Sequence, residues 1–207
     1  MKNKFLKIGL PLMLLVIATL AIGSSCGSMT PDPTPTPVAC STTGTLFQQL
    51  FQQVKTAHPT FPDVTTMDLI THEYTFKVAT NKTICSIGYQ GNANLYAGSI
   101  AYTIEIYNNT TSALVYSGNH VFNSTAIDYK SITGVTLTAG SSYTIRRIAS
   151  NYLGNIGNTV GRMLNFNAAT GAFPATYGDL TISASNFYGS GGPVPNAGIP
   201  YIDIVFE

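Results

Sequence analysis

The sequence predicts an all-β protein, a jelly-roll-like antiparallel β-sandwich with one short N-terminal amphipathic helix. Three observations carry this reading. From Met67 to the C-terminus apolar residues recur at every second position. Clusters of Gly, Asn and Ser interrupt that alternation at short intervals. A single stripe of helical period precedes it, in residues 46–54.

The helix comes first. Leu46, Phe47, Leu50, Phe51 and Val54 share one face and the glutamines take the other. Thr45 and Gln48 have the spacing of a capping box, and Pro59 lies just past the end. The polar face lacks the basic residues of membrane-surface helices, so packing on the sandwich is expected.

The strands follow. Tyr74, Phe76 and Val78 alternate with Thr75 and Lys77; Tyr102, Ile104 and Ile106 with Thr103 and Glu105; Leu180, Ile182 and Ala184 with Thr181 and Ser183. Residues 83–89, 114–122, 127–132, 135–138, 143–149, 162–167 and 201–206 read as further strands. Turn clusters at Asn108-Asn109, Ala139-Gly140, Asn155 to Gly157 and Gly189 to Gly192 separate them. About nine or ten short strands with no helix between them imply two packed sheets; a barrel is the alternative.

Ahead of this domain, Lys2, Lys4 and Lys7 precede an apolar run from Ile8 to Ile22, the n- and h-regions of a secretory signal. The run is about 15 residues, short of the roughly 20 that span a bilayer. Gly23-Ser24-Ser25-Cys26 resembles the lipobox of bacterial lipoproteins, with Gly23 where Leu, Val or Ile is usual. That resemblance implies lipidation at Cys26 and a lipid-anchored envelope protein, most simply of the outer membrane. Cleavage after Ala21-Ile22-Gly23 would instead release a secreted protein. Pro31, Pro33, Pro35 and Pro37 then favour polyproline II, a spacer of roughly 40 Å at about 3.1 Å per residue. The expected organisation is a signal in 1–25, lipidated Cys and Pro/Thr-rich stalk in 26–40, helix and connection in 41–66, and sandwich in 67–207.

Without its signal the chain keeps seven basic against nine acidic residues, a formal charge of −2. Scattered charge of that sign argues against nucleic acid as a partner. With Cys26 assigned to lipid, Cys40 and Cys85 remain in an oxidising compartment, where they could pair; the alternative is two free thiols.

The succession Phe76-x-Val78, Ile84 to Gly88-Tyr89, Tyr102-x-Ile104-x-Ile106, Leu137 to Gly140 with Tyr143-Thr144, and Gly198 to Ile202 resembles the PHR-type β-sandwich and related bacterial surface domains of unknown function. It spans roughly residues 74–206. In the eukaryotic PHR family the domain binds protein partners, so the resemblance implies a partner-binding sandwich.

Catalytic chemistry is sparse. His58, His72 and His120 have no metal-ligand spacing, and neither a nucleophile elbow nor a calcium loop occurs. No metal, cofactor or catalytic residue is assigned, and the protein is read as a non-enzyme. The carboxylates Asp63, Asp68, Glu73, Glu105, Asp128, Asp179 and Asp203 are dispersed, though two could converge as in a polysaccharide hydrolase. His72-Glu73 and Arg146-Arg147 each straddle the two faces of a strand. For one arginine, burial with an acid is expected, and for the other exposure. Binding is the leading expectation, to a protein or a glycan. The flexible segment from Asn186 to Gly198 follows the aromatic pair Phe187-Tyr188, read as a binding loop.

Overall fold

The computed structural model describes residues 40–66, 69–149, 161–166, 171–189 and 191–207, all within one unit of the chain, Val38–Glu207. The signal, Cys26 and the proline-rich stretch lie outside the described residues. So do Met67, Asp68, the Asn155 to Gly157 turn, Asn167 and Ser190.

Helix α1 is Leu46–Ala57. The Thr45 hydroxyl accepts from the Gln48 backbone N–H at 3.0 Å, while the Gln48 side-chain Oε1 accepts from the Gly44 N–H at 2.8 Å. This is a capping box displaced by one residue on its return arm. Phe47, Leu50, Phe51 and Val54 are buried against Tyr74, Tyr201 and the rest of a single core. Each such burial stabilises the fold by about 2 kcal/mol.

The strands are β1 (Asp63–Thr66), β2 (Thr71–Val78), β3 (Lys82–Tyr89), β4 (Tyr102–Asn108), β5 (Ala113–His120), β6 (Asp128–Leu137), β7 (Ser142–Ala149), β8 (Gly161–Asn165), β9 (Ala175–Tyr177), β10 (Leu180–Gly189), β11 (Gly192–Pro195), β12 (Gly198–Pro200) and β13 (Asp203–Phe206). All pairings are antiparallel. The large sheet runs β11-β10-β2-β7-β4-β5, with β9 also on β10; β13-β3-β6 and β1-β8-β12 form two smaller sheets. The chain crosses between sheets after β2, β3, β5 and β6, so the protein is an all-β sandwich with jelly-roll-like crossing connections. Its core lies between the inner face of the large sheet and the β13-β3-β6 sheet, with α1 packed into it.

The structure departs from the sequence reading at several places, among them the added strand β9. A second helix, α2 (Ala93–Ala97), intervenes between strands, capped by Asn92 Oδ1, which accepts from the Asn94 and Leu95 N–H groups. Residues 127–132 and 135–138 are not two strands: β6 runs through Gly134, because β3 pairs with it on both sides of a register irregularity. β1 lies ahead of residue 67 and pairs with β8. The segment from Asn186 to Gly198 is not a loop. It is the end of β10, the β11 hairpin and the start of β12, with Pro193 and Pro195 tolerated because β11 is an edge strand.

Cys40 and Cys85 form a disulfide, 2.01 Å between sulfurs. Asp203, fully buried, ties the helix start to the small sheet. It accepts from the Thr45 hydroxyl at 2.8 Å, the Gln48 amide at 2.9 Å and the Tyr129 hydroxyl at 2.8 Å. Burial pushes its pKa above the usual carboxylate range, and these three uncharged donors oppose that shift. Gly88 stands in register between Asp203 and Tyr129, and a Cβ there would collide with the Tyr129 ring.

Candidate functional site

Antiparallel register aligns one row of residues across six strands: Pro195 of β11, Asn186 of β10, Glu73 of β2, Arg146 of β7, Glu105 of β4 and Ser117 of β5. Because Tyr74 and His72 point into the core, Glu73 and everything in register with it face outward. The row is bonded crosswise. Arg146 Nη2 lies 3.1 Å from Glu73 Oε2, and Arg146 Nη1 lies 3.8 Å from Glu105 Oε2. The Asn186 amide donates to Glu73 Oε1 at 3.1 Å, and the Tyr188 hydroxyl donates to the same oxygen at 3.0 Å. The guanidinium also lies 4.6 Å from the centre of the Tyr107 ring.

Side-chain exposure falls from 33% at Arg146 to 8% at Glu73, so the carboxylate is the sequestered partner and the guanidinium the accessible one. Two carboxylates hold one guanidinium, leaving an excess negative charge that disfavours an anionic ligand and suits hydroxyl or amide donors. Thr71, Glu73, Arg146 and Tyr188 line a cleft of about 290 Å³. Burial and the bond to Glu73 raise the Tyr188 pKa, which keeps its hydroxyl a donor. The flanking outer face is polar, with Thr75 and Thr144 hydroxyls 3.2 Å apart, the Thr103 hydroxyl donating to Asn119 at 2.9 Å, and Lys77 exposed further along β2. Larger clefts of about 430 and 440 Å³ lie near the disulfide and over the glutamine face of α1. In the first of these Lys82 and Asp179 already neutralise each other at 2.8 Å.

The expected aromatic pair is divided by the sheet. Phe187 is buried, its ring 5.0 Å from that of His72, and only Tyr188 reaches the outer face. Neither belongs to a loop, so the loop reading of this pair is corrected to adjacent residues of β10. The doublets His72-Glu73 and Arg146-Arg147 turn out to be opposed: Glu73 meets Arg146 outside, and His72 meets Arg147 inside. Arg147 is the fully buried member of its doublet. Its Nη1 donates to the Leu69 carbonyl at 2.7 Å, and it lies 5.2 and 5.4 Å from the Tyr89 and Tyr102 rings. Burial, with Arg147 adding to it, holds the His72 pKa well below its ordinary value.

The remaining candidates are held apart. Asp63 accepts two hydrogen bonds from Arg162, each 2.8 Å, and one from Lys55 at 2.9 Å; Arg162 holds its pKa down at about 2. Asp128 pairs with Lys130 at 2.8 Å. His58 stacks on Phe61, and His120 Nε2 is 2.7 Å from the Tyr116 hydroxyl. Among the described residues no three His, Cys, Asp or Glu side chains are grouped to hold a metal ion. No family model and no curated protein matches the chain.

Proposed function

We propose that this is a lipid-anchored cell-envelope protein whose β-sandwich is a non-catalytic binding or assembly module, and that the outer face of its large sheet receives the partner. The signal-like N-terminus, Cys26 and the proline-rich spacer support the address. The crosswise-bonded row of Glu73, Arg146 and Glu105 beside Tyr188 carries the binding reading. Groups locked before the partner arrives lose little freedom on binding, which is how a polar surface gains affinity. A macromolecule rich in neutral hydroxyl or amide groups, a glycan or a protein, matches the charge of the row.

Two measurements test this. Fatty-acid labelling of cells should mark the wild-type protein and not Cys26→Ala; equal labelling of both removes the anchor. Calorimetry of the protein with the purified surface polysaccharide of the producing cell should give binding that Tyr188→Ala weakens by about tenfold per folded molecule. Cleavage of that polysaccharide would decide for the alternative, an envelope hydrolase. Binding indifferent to Tyr188 and Arg146 would remove the outer face from the reading.

A further inference from the structure

The large sheet ends differently on its two sides. At one end β11 is four residues long and carries Pro193 and Pro195, which have no N–H to offer a further strand. At the other end β5 pairs with β4 from Tyr102↔His120 to Asn108↔Ala113 and, among the described residues, has no strand on its other side. It is eight residues long and contains neither proline nor Lys, Arg, Asp or Glu. Alternate residues of its sheet mates β2, β4 and β7 are buried, whereas β5 has none that is. Leu114 and Val115 are 49% and 39% exposed. Exposed edges are ordinarily blunted by charge, proline or brevity; β11 has two of these devices, and β5 carries only a bulge. The register slip at Ile106/Tyr107 leaves Val115 as the extra residue.

We propose that β5 pairs antiparallel with β5 of a second copy across a twofold axis, joining two large sheets into one. The bulge leaves Tyr116–His120 as the regular stretch, and its centre, Gly118, marks the axis. Ser117 then stands opposite Asn119 of the second copy, and Leu114 and Val115 flank the seam.

The chemistry selects a second copy over an unrelated strand on three counts. Antiparallel self-pairing places each side chain against the same short set, where a charge would meet its like; β5 has none to repel. The Tyr116 hydroxyl and His120 Nε2 are bonded to each other over Gly118, where a Cβ would strike that hydroxyl. These inward side chains are thereby tied to their own strand, leaving the backbone edge open. Finally, the pairing closes: the joined sheet ends at both sides in the proline-bearing β11 and the three-residue β9, so growth along it stops at two copies. A five-residue seam is small beside a standard interface, so the dimer is weak in dilute solution. Confinement of copies to one membrane would strengthen it through effective concentration.

The test is cysteine pairing in the full chain in native membranes. Co-expressed Ser117→Cys and Asn119→Cys chains should give about tenfold more disulfide-linked dimer than Gln52→Cys, an exposed position on α1 that reports chance encounter. Each variant expressed alone should cross-link far less, because the twofold axis offsets a residue from its own copy by two positions. A second measurement needs no cysteine: Asn119→Lys, bringing two like charges beside the axis, should shift the sedimenting species of the purified chain to monomer. Mixed-chain cross-linking no greater than that of Gln52→Cys, or a wild type that sediments as monomer at every concentration, overturns the proposal.

Discussion

The Tyr129 hydroxyl bonds the Asp203 carboxylate by passing over Gly88, the residue that separates them in the β13-β3-β6 sheet. Gly88 is therefore required by its missing side chain. Gly88→Ala should push the ring aside, deprive a fully buried carboxylate of one of its three donors, and cost roughly 2 kcal/mol in urea unfolding. Tyr129→Phe, which removes only the hydroxyl, should cost about half as much. An unchanged midpoint for Gly88→Ala would show that the ring has another place to go.

Glu73 and Arg146 should be energetically coupled. Removing either partner leaves the other poorly compensated, while removing both relieves that cost, so a double-mutant cycle of Glu73→Gln and Arg146→Gln should give a coupling of about 1–2 kcal/mol. Glu105, with its carboxylate 3.8 Å from the Arg146 guanidinium, keeps the value from being larger. Additive effects would mean that the row is not a unit.

Acid should act first on His72. Its pKa in the folded protein lies well below the ordinary value of 6.5, so the unfolded chain takes up a proton that the folded chain refuses. Stability contributed by the neutral ring is complete above about pH 6.5 and falls by up to about 1.4 kcal/mol per pH unit below it. Asp203 works with the opposite sign, its raised pKa relieving a cost as pH falls. The informative quantity is thus the difference in slope between wild type and His72→Leu from pH 6.5 to 5, measured by urea titration. Identical slopes would contradict the burial of a neutral imidazole.

At lower pH Asp63 takes over. Its pKa, held at about 2 by Arg162, contributes stability that is present above about pH 4 and lost as pH falls toward 2. Solvent screening at this partly exposed site reduces the contribution to about 1 kcal/mol. Asp63→Asn should flatten the stability curve in that window and leave it parallel to wild type above pH 5.

Loss of the disulfide should cost more than any of these. Cys40 and Cys85 are separated by 45 residues, and freeing a loop of that length in the unfolded chain corresponds to about 3–4 kcal/mol. Alkylation of the native protein without reductant should label neither cysteine, and the Cys40→Ala, Cys85→Ala variant should melt well below wild type.

Helix α1 was legible because Phe47, Leu50, Phe51 and Val54 repeat with the helical period and all four are buried. Strands β2, β4 and β10 were legible through alternation. Helix α2 was not: five residues are too few to show a period, and its signal is the Asn92 cap alone. The glycines after Tyr188 suggested a free loop because composition cannot tell a long connection from a tight hairpin in which Gly189 pairs with Gly192. Of the candidate site, the doublets His72-Glu73 and Arg146-Arg147 were visible, and so was their division between faces. Their meeting was not, since it depends on the register between two strands some 70 residues apart in sequence, a relation fixed only when the whole sheet assembles.

The position of the disulfide also determines how this fold would carry mechanical load. A pull on the chain ahead of Cys40 reaches Cys85 through the sulfur bridge before it reaches α1. Cys85 lies in β3, the middle strand of its sheet, at a register irregularity on both edges, with its neighbours Ile84 and Ser86 paired to both β6 and β13. Tension would therefore be shared by two ladders of backbone hydrogen bonds. Without the bridge the same pull would enter at Thr45 and peel the helix from the core turn by turn. The bridge moves the point where such a pull would enter the domain from its end to its interior.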